Sequence, residues 1–398
     1  MRGVRPFRPE LFAILALALV AAACSDGSPA ASPSNSTTTA KAATTTTSPS
    51  TALAQPPTSG PLQASASIPT GFASSDSVLL TEAPDGAVYF ACVSDNCPGP
   101  SGSLRAIWVV YGDQAPREVE QVTGTVMSLA ASGSELFVAT NTSITAFDRS
   151  NGYMLSTTPD PPGVTASGNL FPSVSLAFGS GQLWALYGLS TDESGYEPSV
   201  LERIDPANQA SPSTQVVSSD VGMAGLAVGD SGAFFGDFMK NTIEDVSPAG
   251  IVVAASSALP PYPNQVMLES ELGGTLVSLD LAATSAIQSS VATYSSTTLI
   301  QVTSSPLARV TSGQGAAIES TLAGPLLIVG GCNGVSAVAD GDADVSNRCQ
   351  SVSAIERIAL TDGSTIDPVA VPGAMALLGP YPVVITSATS GIGLVRLG

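Results

Sequence analysis

One unit recurs along most of this chain, and its length leaves few folds open. It is clearest at residues 225–252. The first part reads Gly225-Leu226-Ala227-Val228-Gly229-Asp230-Ser231-Gly232-Ala233-Phe234-Phe235-Gly236-Asp237. The second part reads Asn241-Thr242-Ile243-Glu244-Asp245-Val246-Ser247-Pro248-Ala249-Gly250. A short apolar strand, a Gly-containing turn and a bulky strand come first. A loop, a third strand and a Pro-Gly turn follow. Aligned on the bulky residue of the second strand, the copies fall at Tyr89, Phe137, Trp184, Phe234, Leu276, Leu327 and Val384. The steps run from about 42 to 57 residues, the length of four short strands with their turns.

The other parts recur in register. First strands are predicted at Val78-Leu79-Leu80, Met127-Ser128-Leu129, Val174-Ser175-Leu176, Gly225-Leu226-Ala227, Val266-Met267-Leu268, Ala317-Ile318 and Met375-Ala376-Leu377. Turn residues such as Pro84-Asp85-Gly86 and Gly179-Ser180-Gly181 separate them from the second strands, giving the backbone freedom a tight hairpin needs. Third strands alternate apolar and polar residues, as in Ser143-Ile144-Thr145-Ala146-Phe147-Asp148, Val200-Leu201-Glu202-Arg203-Ile204-Asp205 and Ala354-Ile355-Glu356-Arg357-Ile358.

These units predict an all-β chain folded as a single β-propeller. Seven blades is the reading, and six is the fallback because the fifth copy is the least clear. Ala146-Phe147-Asp148 with Asn151-Gly152 resembles the quinoprotein blade, and Asn241-Thr242-Ile243 with Ser247-Pro248-Ala249-Gly250 resembles the NHL blade. The resemblance covers roughly residues 78–398. It implies architecture and says little about activity, because propellers carry unrelated functions. Residues 391–398 fall on the third strand of the last blade. Residues 61–68, with Leu62, Ala64, Ala66 and Ile68 alternating against polar neighbours, are expected to supply the fourth and close the ring.

The start of the chain reads as an address. Arg2, Arg5 and Arg8 precede the apolar run 11–20, and Ala21-Ala22-Ala23 leads into Cys24. This is a secretory signal, excluded from the fold. Its small-small-Cys ending resembles a bacterial lipobox, which implies lipidation of Cys24. The lipobox prefers Leu where this chain has Ala21, so plain cleavage after Ala23 stays open. Acyl chains contribute roughly 0.8 kcal/mol per buried methylene, so a multiply acylated Cys24 would anchor the chain to a membrane. The Ser, Thr, Ala and Pro of residues 25–60 cannot bury enough apolar surface to order themselves. They are expected to form a disordered tether, reaching about 100 Å extended or about 30–35 Å as a coil. The expected division is therefore 1–23 signal, 24–60 tether and 61–398 propeller. Lipobox, Ser/Thr tether and Ala/Gly-rich body together resemble surface lipoproteins of high-GC Gram-positive bacteria, an extracytoplasmic, lipid-anchored location.

Composition excludes several chemistries. The formal charge is −19, and losing residues 1–23, with their net +2, takes it to −21. Nucleic acid is not expected as a partner, since its affinity comes largely from cations meeting phosphates. Histidine is absent altogether. That removes Ser-His-Asp and Cys-His catalysis and His-ligated metals. Gly229-Asp230-Ser231-Gly232 looks like a chymotrypsin-type nucleophile segment, but without histidine it reads as a strand-to-strand turn. Trp108 and Trp184 read as core residues.

In a secreted chain Cys92, Cys97, Cys332 and Cys349 imply disulfides, and the local pairs Cys92–Cys97 and Cys332–Cys349 are the favoured pairing of three. The insertions at residues 93–103, 188–199 and 331–353 all lie between second and third strands, which project from one face of a propeller. That face would carry Asp95, Asp192, Glu193, Tyr196 and Glu197 as binding residues. Asp340, Asp342 and Asp344 alternate as calcium ligands do, but Val345 and Ser351 stand where an EF-hand loop has Gly and Glu. No cofactor is expected, calcium being the one candidate. Two functions follow. One is a non-enzymatic, membrane-anchored binding or scaffolding module, a monomer whose acidic loop face meets a protein or small ligand. The other is a cell-envelope lyase or glycan-active enzyme working with carboxylates.

Overall fold

The computed structural model describes residues 63–398 except 75, 77, 93–104, 162–172, 189–198, 209–212, 221–222, 230, 238–241, 251, 256–264, 273, 282–289, 307–312, 322–323, 333–352, 360–364, 372–373 and 379–382. Among the described residues every regular element is a β-strand, and the strands form seven four-stranded antiparallel sheets. β1 is Ile68–Pro69. Sheet 1 holds β2 (Val78–Glu82), β3 (Val88–Cys92), β4 (Ala106–Val110) and β5 (Arg117–Gln121). Sheet 2 holds β6 (Val126–Ala131), β7 (Glu135–Thr140), β8 (Ser143–Asp148) and β9 (Met154–Pro159). Sheet 3 holds β10 (Ser173–Gly179), β11 (Gln182–Gly188), β12 (Ser199–Asp205) and β13 (Ser213–Asp220). Sheet 4 holds β14 (Met223–Gly229), β15 (Gly232–Asp237), β16 (Thr242–Val246) and β17 (Val252–Ala255). Sheet 5 holds β18 (Gln265–Leu272), β19 (Thr275–Leu281), β20 (Ser290–Ser295) and β21 (Gln301–Pro306). Sheet 6 holds β22 (Gly313–Thr321), β23 (Gly324–Cys332), β24 (Ser353–Ala359) and β25 (Thr365–Val371). Sheet 7 joins β26 (Ala374–Leu378), β27 (Val383–Ala388) and β28 (Gly391–Arg396) to β1.

In sheet 7 Ile68 lies opposite Leu394 and Pro69 opposite Gly393. Backbone bonds extend this pairing from Gln63, which donates to Gly398 at 2.9 Å, to Thr70, which donates to Ile392 at 3.0 Å. The pairing thus runs two residues beyond the expected end at residue 68. Pro69 has no N–H to give, and it is tolerated because β1 is the outermost strand of its sheet.

The first strands of successive sheets touch one another from β2 to β26, and β26 also meets β2. β2 is half-buried along its length, whereas β3 and β4 are buried throughout. The reason is that middle strands are covered on both faces by neighbouring sheets. Adjacent residues of one strand therefore belong to different junctions. Phe90 packs with Ile385 and Leu394 of sheet 7, and Tyr89 with Leu136 and Val138 of sheet 2.

This alternation corrects the register of the repeat. Tyr89, Phe137, Trp184 and Phe234 each pack toward the next sheet in the chain. Leu276 packs back against sheet 4, and Val383 and Ile385, not Val384, meet sheet 1. The alignment is one residue out in the fifth and seventh copies. Both turns hold two residues, but Leu276 lies one position after the paired residue Thr275 and Phe234 two positions after Gly232. A one-residue slip reverses the face of a side chain.

Arginines tie sheets together at their turns. Arg149, which follows β8, donates through Nη1 to the carbonyls of Ser132 and Gly133, both at 2.8 Å. Its Nη2 meets Asp85 of sheet 1 at 2.5 Å, and its Nε donates to the Tyr89 hydroxyl at 3.0 Å. Arg203 of β12 donates to the carbonyl of Pro248 in sheet 4.

Candidate functional site

Antiparallel order puts the second-to-third and fourth-to-first connections at one end of each sheet, and the remaining turns at the other. The three long insertions leave from the first of these ends. Their flanking strands are paired: Ala91 opposite Ile107, Tyr187 opposite Val200, and Cys332 opposite Ser353.

Most of the residues singled out in the sequence fall outside the described residues. These are Cys24, Cys97 and Cys349, the loop residues Asp95, Asp192, Glu193, Tyr196 and Glu197, and the carboxylates Asp340, Asp342 and Asp344. Cys92 ends β3 and is 6% exposed. Cys332 ends β23. Among the described residues no group of three or more acidic or thiol side chains could hold a metal ion. Trp108 and Trp184 are buried in the sheet junctions, as core residues. Gly229 and Gly232 bracket the turn between β14 and β15.

The structure adds three residues at the insertion end of the junction between sheets 2 and 3. Tyr187 lies near the end of β11 and belongs to the same core cluster as Ile144 of sheet 2. Its hydroxyl donates to Glu202 Oε2 at 3.3 Å, and Glu202, on β12, is only 3% exposed. Asp160 directly follows β9, and its charge acts on Tyr187. Both carboxylate oxygens of Asp160 are buried without a hydrogen-bond partner. The two residues after it are Pro161 and Pro162, which have no N–H to cap the carboxylate locally.

Electrostatics follow from this placement. Burial pushes the Asp160 carboxyl up to about 6. Burial, then the charges of Glu202 and Asp160, hold Tyr187 well above the ordinary phenol range. Near neutral pH, Asp160 can exchange a proton while Tyr187 stays a donor and Glu202 accepts.

None of the three carries a sequence motif. Glu202 occupies a polar position of an alternating strand, which normally faces water. Here the sheet is covered on both faces, so that glutamate is buried. A glutamate in a middle strand of a stacked-sheet repeat is the one signal that could have found it. Asp160 gives a weaker signal, a carboxylate confined between Pro159 and Pro161.

No family model matches this chain, and no curated protein matches it. Among solved structures, the chain is similar to the Cps50 (Swd1) beta-propeller domain of Myceliophteria thermophila. The TM-score is 0.54 at 11% identity, covering 85% of this chain and 100% of that domain. It is also similar to a chain of the Mitotic Checkpoint Complex, with a TM-score of 0.52 at 13% identity, covering 86% of this chain and 95% of that one. At such identities the likeness shows the fold alone: an all-β chain of repeated four-stranded sheets in a propeller.

Proposed function

We propose that this chain is an extracytoplasmic lipoprotein, anchored through Cys24, whose residues 61–398 form a seven-bladed propeller serving as a non-enzymatic binding or scaffolding module. Seven four-stranded sheets and the pairing of β1 with β28 support the blade count and the closure. In this reading Cys92 pairs with Cys97 and Cys332 with Cys349, in an oxidising compartment. One observation carries the function. Three long connections leave from the same end of their sheets, where a rigid scaffold can present them together.

Deleting residues 192–197 tests this. Capture of envelope partners by the purified chain should fall while the melting temperature holds. Loss of folding instead would count against a binding loop. Anchoring is tested separately by Cys24→Ser, which should move the protein from the membrane to the soluble fraction and abolish labelling with palmitate. A variant that stays in the membrane would sink that part of the reading.

A second reading, an envelope enzyme using carboxylates, is favoured by Asp160. An acid pushed up to about 6 and a second carboxylate, both acting on one tyrosine, give two acids the different surroundings that acid and base roles need. Both groups are packed inside the junction of sheets 2 and 3, which is why binding takes precedence.

A further inference from the structure

The peptide bond that follows Asp160 joins it to Pro161. This is a tertiary amide, whose nitrogen leaves as a secondary amine. The backbone on either side is held. Pro159 lies opposite Ser143 in the last pair of β9, and the Asp160 N–H donates to the carbonyl of Thr142 at 3.3 Å. Pro161 is buried. The flanking prolines have fixed φ angles, and the one that follows biases Asp160 toward an extended backbone.

Neither oxygen of the Asp160 carboxyl has a hydrogen-bond partner, and both are shut away from water. Tyr187 of β11 feels its charge, but the Tyr187 hydroxyl is turned to Glu202 of β12. The nearest electrophile is the residue's own main-chain carbonyl carbon, with which the carboxyl can close a cyclic anhydride. Reaction inside one residue needs no bimolecular encounter. Burial also keeps this acid protonated up to about 6, where an ordinary aspartic acid, at 3.8, is already ionised. The proton that the departing nitrogen needs is therefore in place at mildly acidic pH. The chain has two further Asp-Pro bonds, after Asp205 and Asp367. Asp205 is differently placed, because its Oδ1 accepts from the Ala207 N–H at 3.0 Å.

We propose that the Asp160–Pro161 bond is a self-cleavage site, at which the chain cuts itself between sheets 2 and 3. One carboxyl oxygen bonds to the Asp160 carbonyl carbon while the bond to the Pro161 nitrogen breaks, and the carboxyl proton passes to that nitrogen. The anhydride left on Asp160 then adds one water. The products are a C-terminal aspartate on one piece and an N-terminal proline on the other. Asp160 acts here on its own backbone, so the proposal stands or falls apart from the loop-face reading and from an enzyme acting on a bound substrate.

The purified full-length chain is incubated at mildly acidic and at neutral pH, folded and again in urea, and its fragments are identified by mass spectrometry. In the folded chain at mildly acidic pH a fragment beginning at Pro161 should accumulate at least about tenfold faster than one beginning at Pro206. The rate should fall as pH rises through about 6. Urea should abolish the preference, because the unfolded carboxyl returns to water. Pro161→Ala keeps the carboxyl but replaces the tertiary amide, and should slow the cut by at least about tenfold. Asp160→Asn should stop it, with an unfolding transition retained in both variants. No fragment at Pro161, equal cutting at Pro206 in the folded chain, or the same preference in urea would overturn the proposal. An undiminished cut in Asp160→Asn would overturn it too, by assigning the cleavage to a contaminating protease.

Discussion

The guanidinium of Arg396 donates from Nη2 to the carbonyl of Gly86 at 3.1 Å, joining residues 310 positions apart in the chain. Its Nε donates to Gly112 at 3.2 Å. β28 of sheet 7 is thereby held to both turns of sheet 1. Burial lowers the Arg396 pKa, and the charges of Glu82 and Asp113 oppose that shift. Arg396→Met keeps the apolar stem and loses both bonds. Hydrogen bonds from a charged donor are each worth roughly 1.5–3 kcal/mol, and this group is half-buried, so a loss of about 2 kcal/mol is expected. Arg396→Lys, with one compact donor group, should recover about half of that. Urea midpoints for the three proteins check the order, and three equal midpoints would show the tie to be idle.

Asp160 should make stability fall as pH rises through the weakly acidic range. Its folded pKa is about 6 against an ordinary 3.8. An acid whose folded pKa is raised favours the folded state when protonated. That contribution is full below 3.8 and is lost as pH climbs through about 6. A shift of this size corresponds formally to about 3 kcal/mol, but the residue is only partly buried, and screening reduces the expected loss to about 1 kcal/mol. Asp160→Asn should remove the slope and leave the protein about 1 kcal/mol more stable than wild type at neutral pH. Denaturant midpoints measured at mildly acidic and neutral pH decide this. An unchanged slope in the variant would assign the pH dependence elsewhere.

The core of each sheet was legible because turns and bulky strands recur together, as in Gly229-Asp230-Ser231-Gly232-Ala233-Phe234. The outer strands were not. β5 reads Arg117-Glu118-Val119-Glu120-Gln121, half-buried at its centre and exposed at both ends, so no apolar signal marks it. The slip at Leu276 arose because periodicity fixes which residues alternate but not which face each takes. The Asp160–Tyr187–Glu202 group was illegible for a related reason. It exists only where two sheets meet, and residues 160, 187 and 202 share no local pattern.

Gly232 should resist substitution more than any polar residue of its turn. Its φ is +141°, and an added Cβ would lie 2.1 Å from the carbonyl oxygen of Val246. That neighbour is backbone of β16 and cannot swing away. Gly232→Ala should cost more than about 2 kcal/mol, combining backbone strain with the clash. Gly133 is the control, since nothing lies within 4 Å of the corresponding Cβ. Gly133→Ala should be neutral or stabilise by about 0.5 kcal/mol, through lower entropy of the unfolded chain. Thermal midpoints should separate the two substitutions clearly, and similar losses in both would refute the steric account.

Removing residues 1–74 should weaken the whole protein, because β1 is the fourth strand of sheet 7. Ile68 and Phe72 both belong to the core between sheets 7 and 1. Phe72 meets Phe90 edge-on, with ring centroids 5.9 Å apart. The Thr70 hydroxyl, fully buried, donates to the carbonyl of Ile392 at 2.8 Å. Emptying a buried Ile or Phe site costs roughly 2–5 kcal/mol, so losing both removes much of an ordinary stability margin of about 5–15 kcal/mol. A peptide of residues 61–74 supplied in trans should restore the midpoint, since strand addition to an open edge is a recognised binding mode. The same peptide with Ile68→Asp should fail, because its carboxylate would be buried without a partner. A truncated chain that melts like the intact one would show that sheet 7 is complete with three strands.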